Sequence, residues 1–334
     1  MWVKLTKTIA LRALLAVTAL FISSHHSFAD KLKIKAEPIN HLKKETPETQ
    51  FGKLEFLGGL VLTSKHDEFG GISGLRFVKD SNFIAVTDKA RVITGTLERK
   101  DGKPHKIKGE RITRIKAANG KTITGAKDKD AESIELAGSQ FLVGYERNDR
   151  IKRFTLRGRT LIADGGYTVS LKPFGFKENK GPEAIALDPT SGKLFAFAEY
   201  SLNTENNHRG FIISNGKVET EISVKQRDGY SLTDAAFLPD GDLLIMERYF
   251  NPFVGVFCRI RRIAHTDLFS GKVLDGDVIT ELDSSHQIDN MEGLAVSILS
   301  NKAVRLTLIS DDNFNTRKKV QRTVLLEFKL PLAQ

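Results

Sequence analysis

From residue 51 onward the chain is a succession of short apolar runs cut by turn residues. Five segments share one pattern: an acid or Ser, a small residue, then an apolar run. They are Ile72-Ser73-Gly74-Leu75, Ala131-Glu132-Ser133-Ile134, Pro182-Glu183-Ala184-Ile185, Thr233-Asp234-Ala235-Ala236 and Met291-Glu292-Gly293-Leu294. Their starts at 72, 131, 182, 233 and 291 are separated by 59, 51, 51 and 58 residues. Each is followed by a second apolar run that ends in an acid, as in Phe83-Ile84-Ala85-Val86-Thr87-Asp88 and Phe141-Leu142-Val143-Gly144-Tyr145-Glu146. Turn signals such as Pro189-Thr190-Ser191-Gly192 and Pro239-Asp240-Gly241 separate the two runs.

The rest of each unit supplies two more strand-like runs, at 92–97 and 112–115 in the first and 210–214 and 218–224 in the third. Four short strands repeated at a period near 50 residues predict the blade of a β-propeller. A parallel βα fold would need helical stretches of about 10 to 15 residues between strands, and none is visible. The last unit, with runs at 291–296, 305–310 and 322–330, is one strand short, while 53–62 precedes the first unit without a partner. Pairing 53–62 with the last unit hides an open edge. The expectation is an all-β propeller of four-stranded blades, closed by an N-terminal strand that joins the last blade. Five blades are favoured; six is the alternative if strands are merged in the long intervals.

Residues 1–29 have the plan of a cleavable signal peptide: basic Lys4, Lys7 and Arg12, an apolar run at 14–22, and Ser27-Phe28-Ala29 before Asp30. The apolar run is short for a bilayer. Cleavage would leave no membrane span, and a periplasmic or secreted protein. Residues 30–50 are polar, carry Pro38 and Pro47, and read as a weakly structured leader; the propeller domain is 51–334.

The net charge is +10, and +7 without the first 29 residues, which hold three bases and no acid. That balance favours anionic partners without fixing a fold. The basic stretch 147–159 alternates charged and apolar residues at strand spacing, so it reads as a solvated strand face and nucleic acid is not an expected partner. Cys258 is the only cysteine; it excludes an intramolecular disulfide and reads as a buried thiol in a strand. Burial must stabilise the fold, and the chain is long enough for that. A monomer is expected.

In a propeller the innermost strands line a central channel, and antiparallel pairing brings both acids of each unit to one face. The predicted ring holds Glu132, Glu183, Asp234 and Glu292 near the axis. Asp88, Glu146, Glu199, Glu247, Asp311 and Asp312 stand just outside. Crowded like charges repel, and burying them without partners is costly. A hard divalent cation, calcium favoured, would resolve this with oxygen ligands. So would pairing with Lys89, Arg91, Arg147, Lys180 and Arg248, or acceptance of backbone N–H bonds at the blade tops.

The stretches Phe69-Gly70-Gly71-Ile72-Ser73-Gly74-Leu75, Gly181-Pro182-Glu183-Ala184-Ile185-Ala186-Leu187, Met246-Glu247-Arg248-Tyr249-Phe250, Asn290-Met291-Glu292-Gly293-Leu294-Ala295 and Ser310-Asp311-Asp312-Asn313-Phe314 resemble exported bacterial phytase-like proteins, described as having esterase-like activity of phytase. The likeness spans roughly 55 to 330. The chain departs from it at Ser133 and Ala184, where Gly is expected, and at Asp234, where Glu is usual. The resemblance implies ester or phosphoester hydrolysis.

The leading expectation is therefore a metal-dependent ester or phosphoester hydrolase acting on an anionic small molecule. The carboxylates would hold calcium and Glu183 or Glu292 would act as general base. Lys89, Arg91, Arg147, Lys180 and Arg248 would hold the substrate. A non-catalytic propeller binding a protein, glycan or envelope component is the alternative, as is a lactonase-type propeller with a central metal. Other hydrolytic chemistry fits poorly. Gly71-Ile72-Ser73-Gly74-Leu75 lacks the final Gly of a nucleophile elbow and leads into a strand. No His-Glu-x-x-His pair exists, the histidines are scattered, and His208 reads as part of a surface loop at 201–209.

Overall fold

In the computed structural model, residues 30–79, 81–176, 181–315 and 321–332 are described; the signal peptide expected at 1–29 and Lys180 lie outside them. The strands β1 (Asp30–Lys31), β2 (Ile34–Ile39), β3 (Gln50–Phe51) and β4 (Leu54–Ser64) precede the repeats. The first blade contains β5 (Ile72–Lys79), β6 (Asn82–Thr87), β7 (Arg91–Lys100) and β8 (Lys103–Arg114). The second has β9 (Ala131–Ala137), β10 (Gln140–Tyr145), β11 (Arg150–Arg157) and β12 (Thr160–Ser170), and the third β13 (Pro182–Leu187), β14 (Leu194–Leu202), β15 (His208–Ser214) and β16 (Lys217–Val224). The fourth has β17 (Ser231–Phe237), β18 (Leu243–Asn251), β19 (Gly255–Ile263) and β20 (Asp277–Leu282). The fifth is built from β21 (Asn290–Ser300), β22 (Ala303–Asp311), β23 (Thr323–Pro331) and, from the other end of the chain, β4.

The innermost strands β5, β9, β13, β17 and β21 touch in succession, and β21 returns to β5, so five blades close the ring. β4 lies antiparallel to β23, with Leu60 opposite Leu325 and Leu62 opposite Thr323. The expected closure by an N-terminal strand is thus present, and the six-blade alternative is not.

Each seam between adjacent blades has its own apolar core. Side chains alternate across a strand, so one strand feeds two seams. In β14, Leu194 and Ala196 pack toward the second blade, while Phe195 and Phe197 pack toward the fourth. In β18, Leu243 and Ile245 face the third blade, and Leu244 and Met246 the fifth. Burial on both faces is why these strands read as continuous apolar runs. Cys258 is buried in the seam between the fourth and fifth blades.

The reading of 30–50 as a weakly structured leader needs correction. β2 pairs with β4 along its whole length, and Leu32, Ile34, Ile39 and Leu42 are buried in the seam cores flanking the fifth blade. Those four apolar residues, spaced among charges, are enough to extend the closing sheet. The surface-loop reading of His208 is also corrected. It opens β15, is fully buried, and its Nε2 lies 3.0 Å from the Tyr230 carbonyl oxygen. Burial pushes its pKa down to about 4, which leaves the ring neutral.

Candidate metal centre

All five innermost strands carry a one-residue register shift near the start, at Ser73, Glu132, Glu183, Thr233 and Glu292. In each case two residues of the inner strand oppose one of its neighbour, which is a β-bulge, and a bulge re-aims a side chain. On the second strands, the position one step past the partner of the bulge is Asp88, Glu146, Glu199, Arg248 and Asp311. The mouth of the propeller is therefore two five-membered rings. One holds three glutamates and two hydroxyls; the other holds four acids and one arginine.

This register accounts for two corrections. Asp234 and Glu247 lie one position away from the ring positions of the fourth blade, which belong to Thr233 and Arg248. A shift of one residue turns a side chain to the opposite face. Asp234 consequently points into the channel, where it accepts from Arg76 Nη1 at 2.9 Å and from the Leu294 amide at 2.7 Å. Glu247 turns into the fourth blade and is paired with Arg261, Nη2 to Oε1 2.6 Å, both side chains fully buried. Asp312 is also structural: it accepts from the Gly71 and Phe314 amides and from Thr323 Oγ1 at 2.8 Å.

The other seven expected carboxylates, Asp88, Glu132, Glu146, Glu183, Glu199, Glu292 and Asp311, line one cavity of about 1310 Å³ at the mouth. Asp130, just before β9, joins them unforeseen; the only sequence signal was an acid preceding the repeat. Asp130, Glu132 and Glu146 form one group, and Glu146, Glu183 and Glu199 another; within each, one oxygen per residue lies within 4.8 Å of the others. Glu146 belongs to both.

Of the expected cations, Arg147 and Arg248 reach the cavity. Arg147 Nε is 2.6 Å from Asp130 Oδ2. Arg248 bridges two blades, contacting Glu199 Oε1 at 3.2 Å and, more closely, Glu292 and Asn290. Lys89 and Arg91 are engaged elsewhere. Lys89 Nζ stands 2.9 Å from the centre of the Phe314 ring, and Arg91 is paired with Glu68.

Burial and mutual repulsion weaken the acids. Burial pushes Glu132 well above the usual carboxylate range, and Asp130, Glu146, Asp88 and Glu292 push it further. Glu183 is raised in the same way by burial and then by Glu132, Glu199 and Glu146. Asp311 is raised by burial and by Glu292. Burial lifts Glu292 to about 7 against the opposing charge of Arg248, and Asp88 to about 6 against Lys89. Neither Glu132 nor Glu183 has an ion-pair partner among the described residues. Asp88 Oδ1 is buried without a hydrogen-bond partner among them. An all-oxygen, carboxylate-rich donor set of this kind suits a hard divalent cation.

Fold and site define a five-bladed β-propeller with an acidic cup at its mouth. The chain belongs to the phytase-like family described as having esterase-like activity of phytase, whose profile matches residues 67–314. No curated protein matches it by sequence. Among solved structures, it is similar to the hydrazine synthase of Kuenenia stuttgartiensis at 12% identity, covering 78% of this chain and 73% of that one, with a TM-score of 0.40. It is also similar to the PQQ-bound aldose sugar dehydrogenase of Streptomyces coelicolor at 13% identity, covering 85% and 99%, with a TM-score of 0.41.

Proposed function

We propose that the chain is a metal-dependent hydrolase of ester or phosphoester bonds, with the acidic cup as its active site. The observation that carries this reading is the pair of three-carboxylate groups sharing Glu146, in which Glu132 and Glu183 have no cationic partner among the described residues. Asp130, Glu132, Glu146, Glu183 and Glu199 would hold the metal, and calcium is the favoured ion. When bound, such an ion supplies Lewis acidity toward an ester oxygen and a more acidic water.

The chain's own groups supply proton handling and orientation. Glu292, at about 7, exchanges a proton near neutrality, which is where a general base is most effective. Asn290 Nδ2 donates to its Oε1 at 3.0 Å and Arg248 holds the same carboxylate, so its orientation is fixed. Glu183 is the second candidate base, for an ion held by Asp130, Glu132 and Glu146 alone. Arg248 and Arg147 are the two expected substrate-binding cations that face the cavity. Export through the 1–29 leader belongs to the same proposal. No helix among the described residues is long and apolar enough to cross a membrane.

The test is turnover of phosphomonoesters, carboxyl esters and lactones by residues 30–334 with calcium, magnesium or manganese. The wild type should hydrolyse at least one class in a metal-dependent way, and Glu132→Gln/Glu183→Gln should lose both the turnover and the rise in melting temperature on adding metal. Absence of turnover with every ion would overturn the hydrolase and leave the binding-module reading.

A further inference from the structure

One wall of the cavity differs in kind from the acidic cup. On the fourth-blade side it is lined by Tyr249, Phe250 and Val256, from the β18–β19 hairpin, and by Ile288. The hairpin continues past the rim, where Phe250 is 66% exposed, Val254 53% and Phe253 95%. Apolar side chains grouped in this way at a rim mark a contact surface.

The hairpin tip is held in place. Phe253 N donates to Asn251 Oδ1 at 2.9 Å, and Ser284 Oγ donates to the Val254 carbonyl at 2.8 Å. Below them the Tyr249 ring lies 5.6 Å from Tyr230 and 5.9 Å from Phe257. The aromatic edge is therefore presented at a fixed position beside the cup.

Charge narrows the occupant. Among the described residues, nine carboxylates line the cavity against four basic side chains. Three of the four are already paired: Arg147 with Asp130, Arg248 with Glu199 and Glu292, and Arg322 with Asp289. When these groups are ionised the excess is five negative charges, more than two divalent ions would offset. The cup therefore has little positive charge to spare for a ligand with several phosphates, whereas a single head group needs only one bound ion.

We propose that this cavity takes a ligand with a single ester or acid head group and an apolar alkyl or aryl tail. The head sits in the acidic cup and the tail lies along Tyr249, Phe250 and Phe253. This rests on the reading of the cup as a divalent-metal site, and it assigns the hairpin as the element that selects substrate.

Binding tests it without turnover. Methylphosphonate, octylphosphonate and inositol hexakisphosphate are titrated calorimetrically into calcium-loaded protein, for the wild type and for Phe250→Ser/Phe253→Ser. Both substituted side chains are exposed, so the cores are untouched. Each methylene removed from water adds about threefold to fourfold in affinity. Octylphosphonate is therefore expected to bind at least tenfold tighter than methylphosphonate, with the preference lost in the double variant. Equal affinity for the two phosphonates, tightest binding of inositol hexakisphosphate, or an undiminished preference in the variant would each overturn the proposal. So would a hairpin that drives sedimentation with phosphatidylglycerol vesicles but gives no chain-length preference, since its occupant would then be a lipid surface. Ester turnover is measured in parallel: chain-length preference without turnover supports the ligand class while removing the hydrolase, and turnover without preference does the reverse.

Discussion

Arg76 and Asp234 meet on the propeller axis, Nη1 to Oδ2 at 2.9 Å and Nη2 to Oδ1 at 3.2 Å. Arg76 also donates to the carbonyls of Leu75, Ile185, Ala235 and Leu294, and its Nε reaches Glu135 Oε2 at 3.1 Å. One guanidinium thereby contacts all five blades and floors the channel beneath the acidic cup. Its fork of donors is what makes this possible; a lysine ammonium has neither the reach nor the number of directed N–H groups.

Removing one member of a buried ion pair leaves the other charge uncompensated, at a cost of about 3–5 kcal/mol. Arg76→Met is expected to destabilise by that amount in urea titrations. Adding Asp234→Asn should recover part of it, because the stranded charge is removed. If the double variant is no better than Arg76→Met, the cost lies in the lost contacts to Glu135 and the four carbonyls and not in a stranded Asp234.

Much of this is readable from the chain. The period near 50 residues, the runs buried on both faces, and the spare N-terminal strand lead to a closed ring, and three glutamates of its mouth, Glu132, Glu183 and Glu292, are visible as repeated acids. The fourth blade misleads because Asp234 follows Thr233 at the spacing of the other acids, while the bulge that decides the register shows only in the pairing of Leu232 with Glu247. Pattern fixes which residues are apolar, but a bulge costs no residue type that pattern can detect. Arg76 escapes for a related reason. It is a lone charge at an alternating strand position, and its partners come from four other blades.

Arg248 occupies a position that in the other four blades is an acid, and it holds Glu199 and Glu292 together. A divalent ion held in the cup would have to compete with it for Glu199. Arg248→Gln is expected to tighten calcium binding about tenfold by calorimetry, and to lower the melting temperature of the metal-free protein. Weaker calcium binding in the variant would mean that Arg248 instead positions the ligands.

The acids of the cup also set a pH dependence. Glu292 and Asp88 have folded-state values near 7 and 6, against ordinary values of 4.5 and 3.8, raised first by burial. The folded protein therefore binds these protons more tightly than the unfolded chain. Their stabilising contribution is complete below the unfolded values and is lost as pH rises through about 6 to 7, at about 1.4 kcal/mol for each tenfold difference in proton affinity between the folded and unfolded chain. Metal-free protein should melt higher at pH 5 than at pH 8. Excess calcium, which needs the carboxylates deprotonated, should raise the melting temperature more at pH 8 than at pH 5. A metal-free melting temperature that climbs from pH 5 to pH 8 would contradict the assigned burial of these acids.

Gly59 pairs with Leu326 where β4 meets β23, the joint that closes the ring. A Cβ at this position would lie 2.7 Å from Leu326 Cδ2 and 2.9 Å from the Leu325 carbonyl oxygen. The leucine tip can shift; the carbonyl belongs to the backbone of the closing sheet and cannot move without parting the strands. Gly59→Val adds a branched side chain at that contact, and overpacking of this sort costs about 1–3 kcal/mol. The loss should appear in thermal melts. Hydrogen exchange should localise it to β4 and β23, while amides of the second and third blades, which do not touch this seam, keep their protection. Uniform loss of protection across all blades would instead show that the ring opens as one cooperative unit, with the joint between the two chain ends no weaker than any other seam.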